Sequence, residues 1–327
     1  MHSYFDPLDN VAITRDNTVL MDGAGSQLQR NYCTYALARF LNIAYVHSPL
    51  IQISYEGLSA LEKNQSDPQL LSRYNETFTI KSDLELTQNT KVHRLQNINL
   101  ENFSLIQEEA KKSRSFHLIK VGFPYLISDR YPEMLDCVKN ISPFEALPSS
   151  LFRIAIHVRR GELFAVDAHR MLPNCYYVSV AQNVIAVLHK LGIPFICELY
   201  TELPSDSCVV TPSHHGIDHR IQHPVTLNKE MSHLEDFEVI PHLKKQINQD
   251  PIETLCAIAT ADLLIISRSS FSYLAGILNK RGLVIYHPFW HNAPPIWLNV
   301  HQQKYLEEKV QEYCIDWKSA PSVISLL

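Results

Sequence analysis

The sequence predicts an α/β protein of about two domains with open, doubly wound parallel sheets. Its 327 residues fit two domains of ordinary size. Short apolar runs of strand length alternate with longer amphipathic runs of helical period, which is typical of parallel sheets covered by helices. Hydrophobic residues make up 46% of the chain and charged residues 19%. This composition excludes a disordered chain, a coiled coil and a collagen-like fibre.

The first half begins with a β–loop–α–β unit, the building block of a parallel sheet. The pattern predicts a strand at 18–21, a glycine turn at 23–25, a helix at 26–41 and a strand at 43–47. Further along, it predicts short helices at 56–64 and 67–74 and a strand at 116–121.

The segment 138–150 carries two prolines and three serines, so we expect the boundary between the domains there. This gives an N-terminal domain of residues 1–148 and a C-terminal domain of residues 149–327.

The second half has a more regular alternation of strands and helices. Predicted strands lie at 152–158, 194–200, 237–240, 263–266 and 283–286, and predicted helices at 174–191, 251–259, 269–278 and 303–314. Asp250 is the expected cap of the second of these helices, and Pro251 its first residue. In such sheets, ligands bind where strands end and helices begin.

Charge and cysteine usage narrow the class of protein. The chain has 29 basic and 34 acidic residues, a net charge of −5, so we expect no nucleic-acid partner. Its seven cysteines form no C-x-x-C pair, which argues against a disulfide framework and a zinc ribbon. The N-terminus resembles no signal peptide, and no apolar run reaches membrane-helix length. These features predict a cytoplasmic protein with no membrane-spanning segment.

The segment 157–162, His-Val-Arg-Arg-Gly-Glu, lies at the carboxyl end of a predicted strand. Adjacent guanidinium groups are planar donor forks that match phosphate, and the glycine lets the backbone come close to a ligand. Neighbouring strand residues point to opposite faces. One of Arg159 and Arg160 is therefore expected to bind an anion while the other braces the fold, the alternative being a pair of structural ion pairs.

The segment 267–272, Ser-Arg-Ser-Ser-Phe-Ser, also follows a strand and opens a helix. Free backbone N–H groups, clustered hydroxyls and an arginine at a helix start favour an anion site. An ordinary serine cap is the alternative interpretation.

A third candidate is the glycine loop 22–30, Asp-Gly-Ala-Gly-Ser-Gln-Leu-Gln-Arg, which resembles half of a dinucleotide fingerprint. Leu28 stands where that fingerprint has Gly or Ala, and no acidic residue follows at the expected distance. A tight turn without a ligand is the alternative.

Metal sites are not expected. His214, His215, His219 and His223 with Asp218 have i, i+4 spacing but lie in a proline-containing loop. No D-x-D, P-loop or G-x-S-x-G motif occurs, which argues against a Mg²⁺-dependent sugar transferase, a P-loop NTPase and an α/β hydrolase.

The aromatic segment 286–291 with Trp297 is expected either to stack on a sugar or base ring or to seal the core.

The segment 157–162 is similar to the H-x-R-R-G-D motif of the fucosyltransferase superfamily. Segment 267–272, preceded by Ala261-Asp262, resembles that superfamily's late motif, and segment 23–28 resembles its N-terminal glycine loop. The three motifs occur in the family's order. The resemblance implies the GT-B fold, two Rossmann-like domains facing a cleft, with the acceptor mainly on the first and the nucleotide sugar mainly on the second. It also implies inverting, metal-independent glycosyl transfer with no cofactor, from a nucleotide-sugar donor to a glycan acceptor.

By this resemblance, Arg159 and Arg160 hold the donor diphosphate and its developing charge. Residues expected to bind the donor are Gly23, Gly25, Ser26, Gln27, His157, Arg268, Ser269, Ser270 and Phe271. Glu56, Trp290 and His291 are the expected acceptor contacts.

Inversion also requires a base for the acceptor hydroxyl. Glu162, Asp167, His169 and Glu56 are the candidates, and Glu162 is an alternative brace for an arginine. Glu162 stands where the family has aspartate, so the donor stays open between GDP-fucose, the first choice, and another sugar such as UDP-xylose. A silent nucleotide- or carbohydrate-binding protein and a nicotinamide-dependent oxidoreductase are the competing functions.

Overall fold

The structure, a computed structural model, divides the chain into two compact α/β units. Among the described residues, unit 1 runs to Pro143 and unit 2 begins at Phe144. The domain bounds 1–148 and 149–327 stay a prediction. The residues described are 10–18, 23–53, 69–86, 89–113, 115–124, 136–145, 149–161, 163, 170–203, 209–210, 223–224 and 233–319.

Unit 1 contains a four-stranded parallel sheet with the strand order β2-β1-β4-β3. Its elements are β1 (Val11–Arg15), α1 (Ala24–Leu41), β2 (Ala44–Tyr45), α2 (Leu70–Phe78), β3 (Thr90–Leu95), α3 (Leu100–Lys112), β4 (Phe116–Val121) and α4 (Asp136–Lys139).

The first strand differs from the sequence prediction of 18–21. Strand β1 is Val11–Arg15, all five residues of which are buried between β2 and β4. Thr18 lies in a turn after it, and 19–22 lie outside the described residues. A strand that is buried on both faces shows no alternation of polar and apolar residues. Periodicity therefore does not distinguish the strand at 11–15 from the neighbouring apolar run at 18–21. Helix 56–64 also falls outside the described residues.

Unit 2 contains a six-stranded parallel sheet with the strand order β12-β11-β10-β5-β6-β9. Its elements are β5 (Phe152–Val158), α5 (Asn174–Leu191), β6 (Phe195–Thr201), β7 (Val209–Val210), β8 (His223–Pro224), a 3₁₀ helix (Leu234–Val239), β9 (Leu243–Ile247), α6 (Pro251–Ala259), β10 (Leu263–Ile265), α7 (Ser270–Leu278), β11 (Leu283–Tyr286), β12 (Leu298–Asn299) and α8 (Gln303–Ser319). Strands β7 and β8 form a separate antiparallel pair.

Read from β9 across to β12, the large sheet has the Rossmann order 3-2-1-4-5-6. Helix α5 packs with α8, and α6 packs with α7. Right-handed crossovers place these two pairs on opposite faces of the sheet. The predicted doubly wound α/β class is therefore confirmed, whereas the facing of the two domains across a cleft stays a prediction.

Residues 237–240 were predicted as a strand but lie in the 3₁₀ helix and its end. The edge strand β9 begins at Leu243 instead, and its residues are only partly buried. Its sequence, Leu-Lys-Lys-Gln-Ile, has too few apolar residues to predict a strand.

Capping residues stabilise the starts of two helices that follow strands of unit 2, α6 after β9 and α7 after β10. The Asp250 carboxylate accepts from the N–H groups of Ile252 and Glu253, 3.0 Å from each, and Pro251 is the first helical residue of α6, both as predicted. Among the described residues, no helix has the length and apolarity needed to cross a bilayer.

Candidate functional site

The candidate site lies at the topological switch point of unit 2, between the carboxyl ends of β5 and β10. Chain connections leave this point in opposite directions, toward β6 from β5 and toward β11 from β10. A crevice therefore opens there, and in open α/β sheets it is the place where ligands bind. Two of the predicted motifs, 157–162 and 267–272, follow these two strands.

His157 joins the ends of the two strands. Its Nδ1 lies 2.9 Å from Oγ of Ser267, which follows β10, and its ring lies 5.5 Å from the ring of Phe271. Burial, followed by the positive charges of Arg159 and Arg160, lowers the pKa of His157 to about 3. The imidazole is therefore neutral near pH 7 and offers the site a hydrogen bond rather than a charge.

Arg160 is the bracing member of the arginine pair. Its side chain is fully buried, and its guanidinium donates to the Leu172 carbonyl at 2.9 Å and to Oδ1 of Asn174 at 2.6 Å. It also lies 5.9 Å from the Tyr177 ring centre. These internal acceptors hold the guanidinium in the fold, and the catalytic role that the resemblance implied for Arg160 stays a prediction.

Arg159 has a different environment. Its side chain keeps 18% of its surface exposed, and NH1 lies 3.6 Å from Oε2 of Glu202, which follows β6. Gly161, two residues further on, has a positive φ of 56°, a conformation that favours glycine, and the chain turns there. Of the pair, Arg159 is therefore the more accessible residue.

The start of α7 supplies backbone N–H groups on the other side of the crevice. Ser269 is the N-cap and accepts from the Phe271 N–H at 3.2 Å. Ser270 lies on the first turn, its Oγ 3.0 Å from Nε2 of His291. This is the serine cap given as the alternative, but a capped helix start still has a positive dipole end, here beside His157.

Arg268 precedes that cap. One of its terminal nitrogens lies 3.3 Å from Nδ1 of His287, which follows β11, and its Nε is buried without a hydrogen-bond partner among the described residues. The Tyr176 ring of α5 lies 5.5 Å from the His287 ring. Arg268, His287 and Tyr176 thus extend the row of polar side chains from the end of β10 toward the end of β11.

The aromatic segment after β11 divides into an exposed and a buried part. Trp290 is 55% exposed, and its Nε1 donates to Nε2 of the buried His291 at 3.0 Å. The Arg170 guanidinium lies 4.6 Å from the Trp290 ring. Trp297 is buried beside Tyr273, at 4.9 Å between ring centres. Trp290 can therefore meet a ligand ring, whereas Trp297 seals the core.

Sequence reasoning missed Asn174 and Tyr176, which complete the site from the start of α5. Asn174 links Arg160 to Asp236, donating to its Oδ2 at 3.0 Å. The pair of tyrosines at 176–177, at the start of the predicted helix 174–191, was the available signal.

The glycine-loop candidates lie in unit 1. Gly23 is the N-cap of α1, and Gly25 and Ser26 lie in its first turn. The buried Gln27 side chain donates to the Gln52 carbonyl at 2.8 Å and lies 3.4 Å from NH1 of the buried Arg15. Sequence reasoning missed Arg15, which anchors this loop and lies at the carboxyl end of β1.

Four proposed base or acceptor residues, Glu56, Glu162, Asp167 and His169, lie outside the described residues. So do His214, His215, Asp218 and His219 of the histidine segment, and the side chain of His223.

Comparison of the sequence with models of protein families gives no match, and comparison with curated protein sequences gives none. Structural comparison finds POFUT1 in its apo form, with 11% identity over 88% of this chain and 100% of that chain at a TM-score of 0.38. It also finds E. coli heptosyltransferase WaaC with ADP, with 9% identity over 91% of this chain and 99% of that chain at 0.39.

A further similar structure is the iron-containing dodecameric glycosyltransferase TibC from enterotoxigenic E. coli. It shares 11% identity over 88% of this chain and 62% of that chain, at a TM-score of 0.32. Likenesses of this size assign neither a family nor a substrate, so the residues of the switch point have to indicate the function.

Proposed function

We propose that this protein is a glycosyltransferase that binds the diphosphate of a nucleotide-sugar donor at the β5–β10 switch point of unit 2. The observation that carries the proposal is that Arg159 follows β5, the start of α7 follows β10, and the neutral His157 links the ends of these two strands. A cationic fork, a helix dipole and a hydrogen-bonding imidazole together fit a phosphate-bearing ligand.

The chemistry proposed is inverting transfer without a metal ion. The acceptor hydroxyl attacks the anomeric carbon, the bond from that carbon to the diphosphate oxygen breaks, and a base takes the hydroxyl proton. Negative charge grows on the leaving diphosphate, and Arg159 with the α7 start stabilises it in the transition state. Glu162 and Asp167 are the proposed bases, and Glu56 and His169 the alternatives.

GDP-fucose is the proposed donor, on the motif resemblance of segment 157–162, and a glycan hydroxyl is the proposed acceptor. A donor such as UDP-xylose is the alternative. Trp290, exposed beside the site and flanked by Arg170, is proposed to stack on the acceptor sugar, with His291 holding its indole N–H.

The Rossmann strand order also favours a second candidate, a nicotinamide-dependent oxidoreductase. The loop after β5 argues against it, because it reads Arg-Arg-Gly where a dinucleotide site has its glycine fingerprint.

A thermal-shift titration of the full chain with GDP, UDP and NAD in parallel tests the proposal. A ligand at about 100 times its Kd stabilises the fold by roughly 2.7 kcal/mol, enough to move the melting temperature measurably. Stabilisation by GDP supports a GDP-sugar donor, and stabilisation by UDP alone supports the transferase with another donor. Stabilisation by NAD alone overturns the proposal in favour of the oxidoreductase.

Variants locate the binding site and test for catalysis. Arg159→Ala should abolish the nucleotide-dependent shift, whereas Lys190→Ala, at the exposed end of α5, removes the same charge and should retain it. Release of GDP from GDP-fucose is then measured with and without glycan acceptors. Binding without any turnover would show a silent binding protein instead.

A further inference from the structure

Three side chains of unit 1 bring metal-ligand atoms together on neighbouring elements. They are His93 of β3, His117 of β4 and Glu109 of α3, and one ligand atom of each lies within 4.8 Å of the other two. Strands β3 and β4 are parallel neighbours, in which Lys91 pairs with His117, so His93 lies diagonally across from His117. Helix α3 packs on β4 and supplies the carboxylate.

The two imidazoles already converge on one point. Nε2 of His93 lies 2.9 Å from Nδ1 of His117, and the rings are nearly parallel, 15° apart, with centres 5.1 Å from each other. Two nitrogens bound to one tetrahedral ion at about 2.0–2.1 Å lie roughly 3.3 Å apart. A small opening of the pair therefore lets an ion replace the proton that the two nitrogens now share.

The burial of His117 is the second observation. The side chain is wholly buried, yet its Nε2 has no hydrogen-bond partner among the described residues. The contact with His93 orients the ring, so Nδ1 of His117 is the nitrogen that faces the cluster, and Nε2 lies on the outer side of the ring. Nδ1 is therefore the atom placed to ligate an ion.

Lys91 occupies the exposed rim of the cluster. Its ammonium pairs with the Glu109 carboxylate, and both side chains are about half exposed. Exposed ion pairs of this kind contribute little to stability, so a divalent ion can take the carboxylate from the lysine.

We propose that His93, His117 and Glu109 bind one divalent transition-metal ion, for which Zn²⁺ is the fitting case. Two imidazoles and a carboxylate suit Zn²⁺ and exclude Mg²⁺ and Ca²⁺, which take oxygen ligands. Water fills the fourth position at the open rim. The ion ties the edge strand β3 to β4 and α3. Because His117 lacks an outer hydrogen bond, we expect an affinity about 10- to 100-fold weaker than at a fully supported site.

The test is calorimetric titration of the chelator-treated full chain with Zn²⁺, followed by thermal melts with and without the ion. We expect one equivalent that raises the melting temperature. His93→Ala and Glu109→Gln should each weaken this binding at least about tenfold, while Lys91→Ala should keep or strengthen it. The melts of the metal-free variants establish that they are folded.

Co²⁺ provides a spectroscopic check, because a four-coordinate site gives visible absorption that His93→Ala should remove. The double variant His214→Ala/His215→Ala is the control for binding at the other histidines of the sequence and should retain the site. The proposal is overturned if the wild type and His93→Ala bind Zn²⁺ with the same stoichiometry and affinity, or if His214→Ala/His215→Ala abolishes binding.

Discussion

Arg159 and Arg160 are chemically identical neighbours with different surroundings. Arg160 is fully buried and bonded to the Leu172 carbonyl and to Asn174, whereas Arg159 keeps part of its surface exposed near Glu202. A buried guanidinium mainly stabilises the fold, because removing it leaves its acceptors unpaired in the interior. A partly exposed one with a long ion pair contributes less to stability.

Arg160→Ala is therefore expected to lower the free energy of unfolding by about 2–4 kcal/mol, through the unpaired Leu172 and Asn174 acceptors and the lost packing on Tyr177. Arg159→Ala is expected to cost less than about 1 kcal/mol. Urea unfolding of both variants measures the difference. Equal destabilisation by the two substitutions would contradict the division of roles.

The histidine between the strands makes stability depend on pH. The pKa of His157 is about 3 in the folded protein, against 6.5 for an ordinary histidine. Protons therefore bind the unfolded chain first, so this residue destabilises the fold progressively as pH falls from about 6.5 toward 3 and has no such effect at higher pH.

The wild type should lose unfolding free energy between pH 7 and pH 5, and His157→Gln should lose less. The difference is expected to reach up to roughly 1.4 kcal/mol for each pH unit below 6.5. Urea unfolding at several pH values measures the slope. The wild type, measured in parallel, gives the reference slope. An unaltered slope in His157→Gln would contradict the buried, neutral state of this ring.

For single residues, the sequence predicted the positions of the motifs but not the directions of their side chains. Both segments 157–162 and 267–272 follow the expected strands, because an apolar run followed by polar residues marks the end of a buried strand. Which arginine is buried depends on Asn174 and Leu172, which lie further along the chain and approach only through tertiary packing.

At the scale of elements, helix α7 depends on a close contact with the loop after β11. A Cβ built on Gly276 would lie 2.6 Å from the Trp297 ring, so the glycine makes room for this side chain. Trp297 in turn packs on Tyr273 of the same helix. The position of the segment that carries Trp290 and His291 thus follows from a small residue in α7.

Gly276→Ala should lower the free energy of unfolding by about 1–3 kcal/mol through overpacking, and should displace the loop that carries Trp290. Hydrogen exchange of the loop 288–292 and thermal melts measure the two effects. Adding Trp297→Leu should recover part of the lost stability, since it removes the clash. A double variant whose losses simply add would show that the glycine serves another purpose.

Elements with strong local signals were predicted correctly, whereas the strands predicted near β1 and β9 were misplaced and β3, α3 and β12 were not predicted. Helix α6 begins at Pro251 after its Asp250 cap, and β5 and α5 have the predicted bounds. Strand β9 is an edge strand with a polar sequence, and β1 is apolar on both faces. Neither strand shows the alternation that identifies a half-buried strand.

At the scale of the whole molecule, the GT-B interpretation predicts that unit 1 also takes part in donor binding, which a site confined to unit 2 does not. If the glycine loop reaches the donor diphosphate, a bound nucleotide should protect amides at 23–27 as well as at 157–161 and 267–273. Hydrogen exchange of the full chain with and without the nucleoside diphosphate measures this. Protection restricted to unit 2 would contradict the part assigned to Gly23 and Gln27 while leaving the switch-point site intact.

Strand order has a further consequence for how the protein is made. The central strand β5 has β6 on one side, but its other neighbour, β10, follows more than a hundred residues after it, as the 110-residue separation of His157 and Ser267 shows. At about 5–20 residues per second, the ribosome completes that stretch in roughly 6–20 seconds. During this interval the nascent chain has an open edge on its central strand, so we expect chaperones to bind it before β10 pairs there.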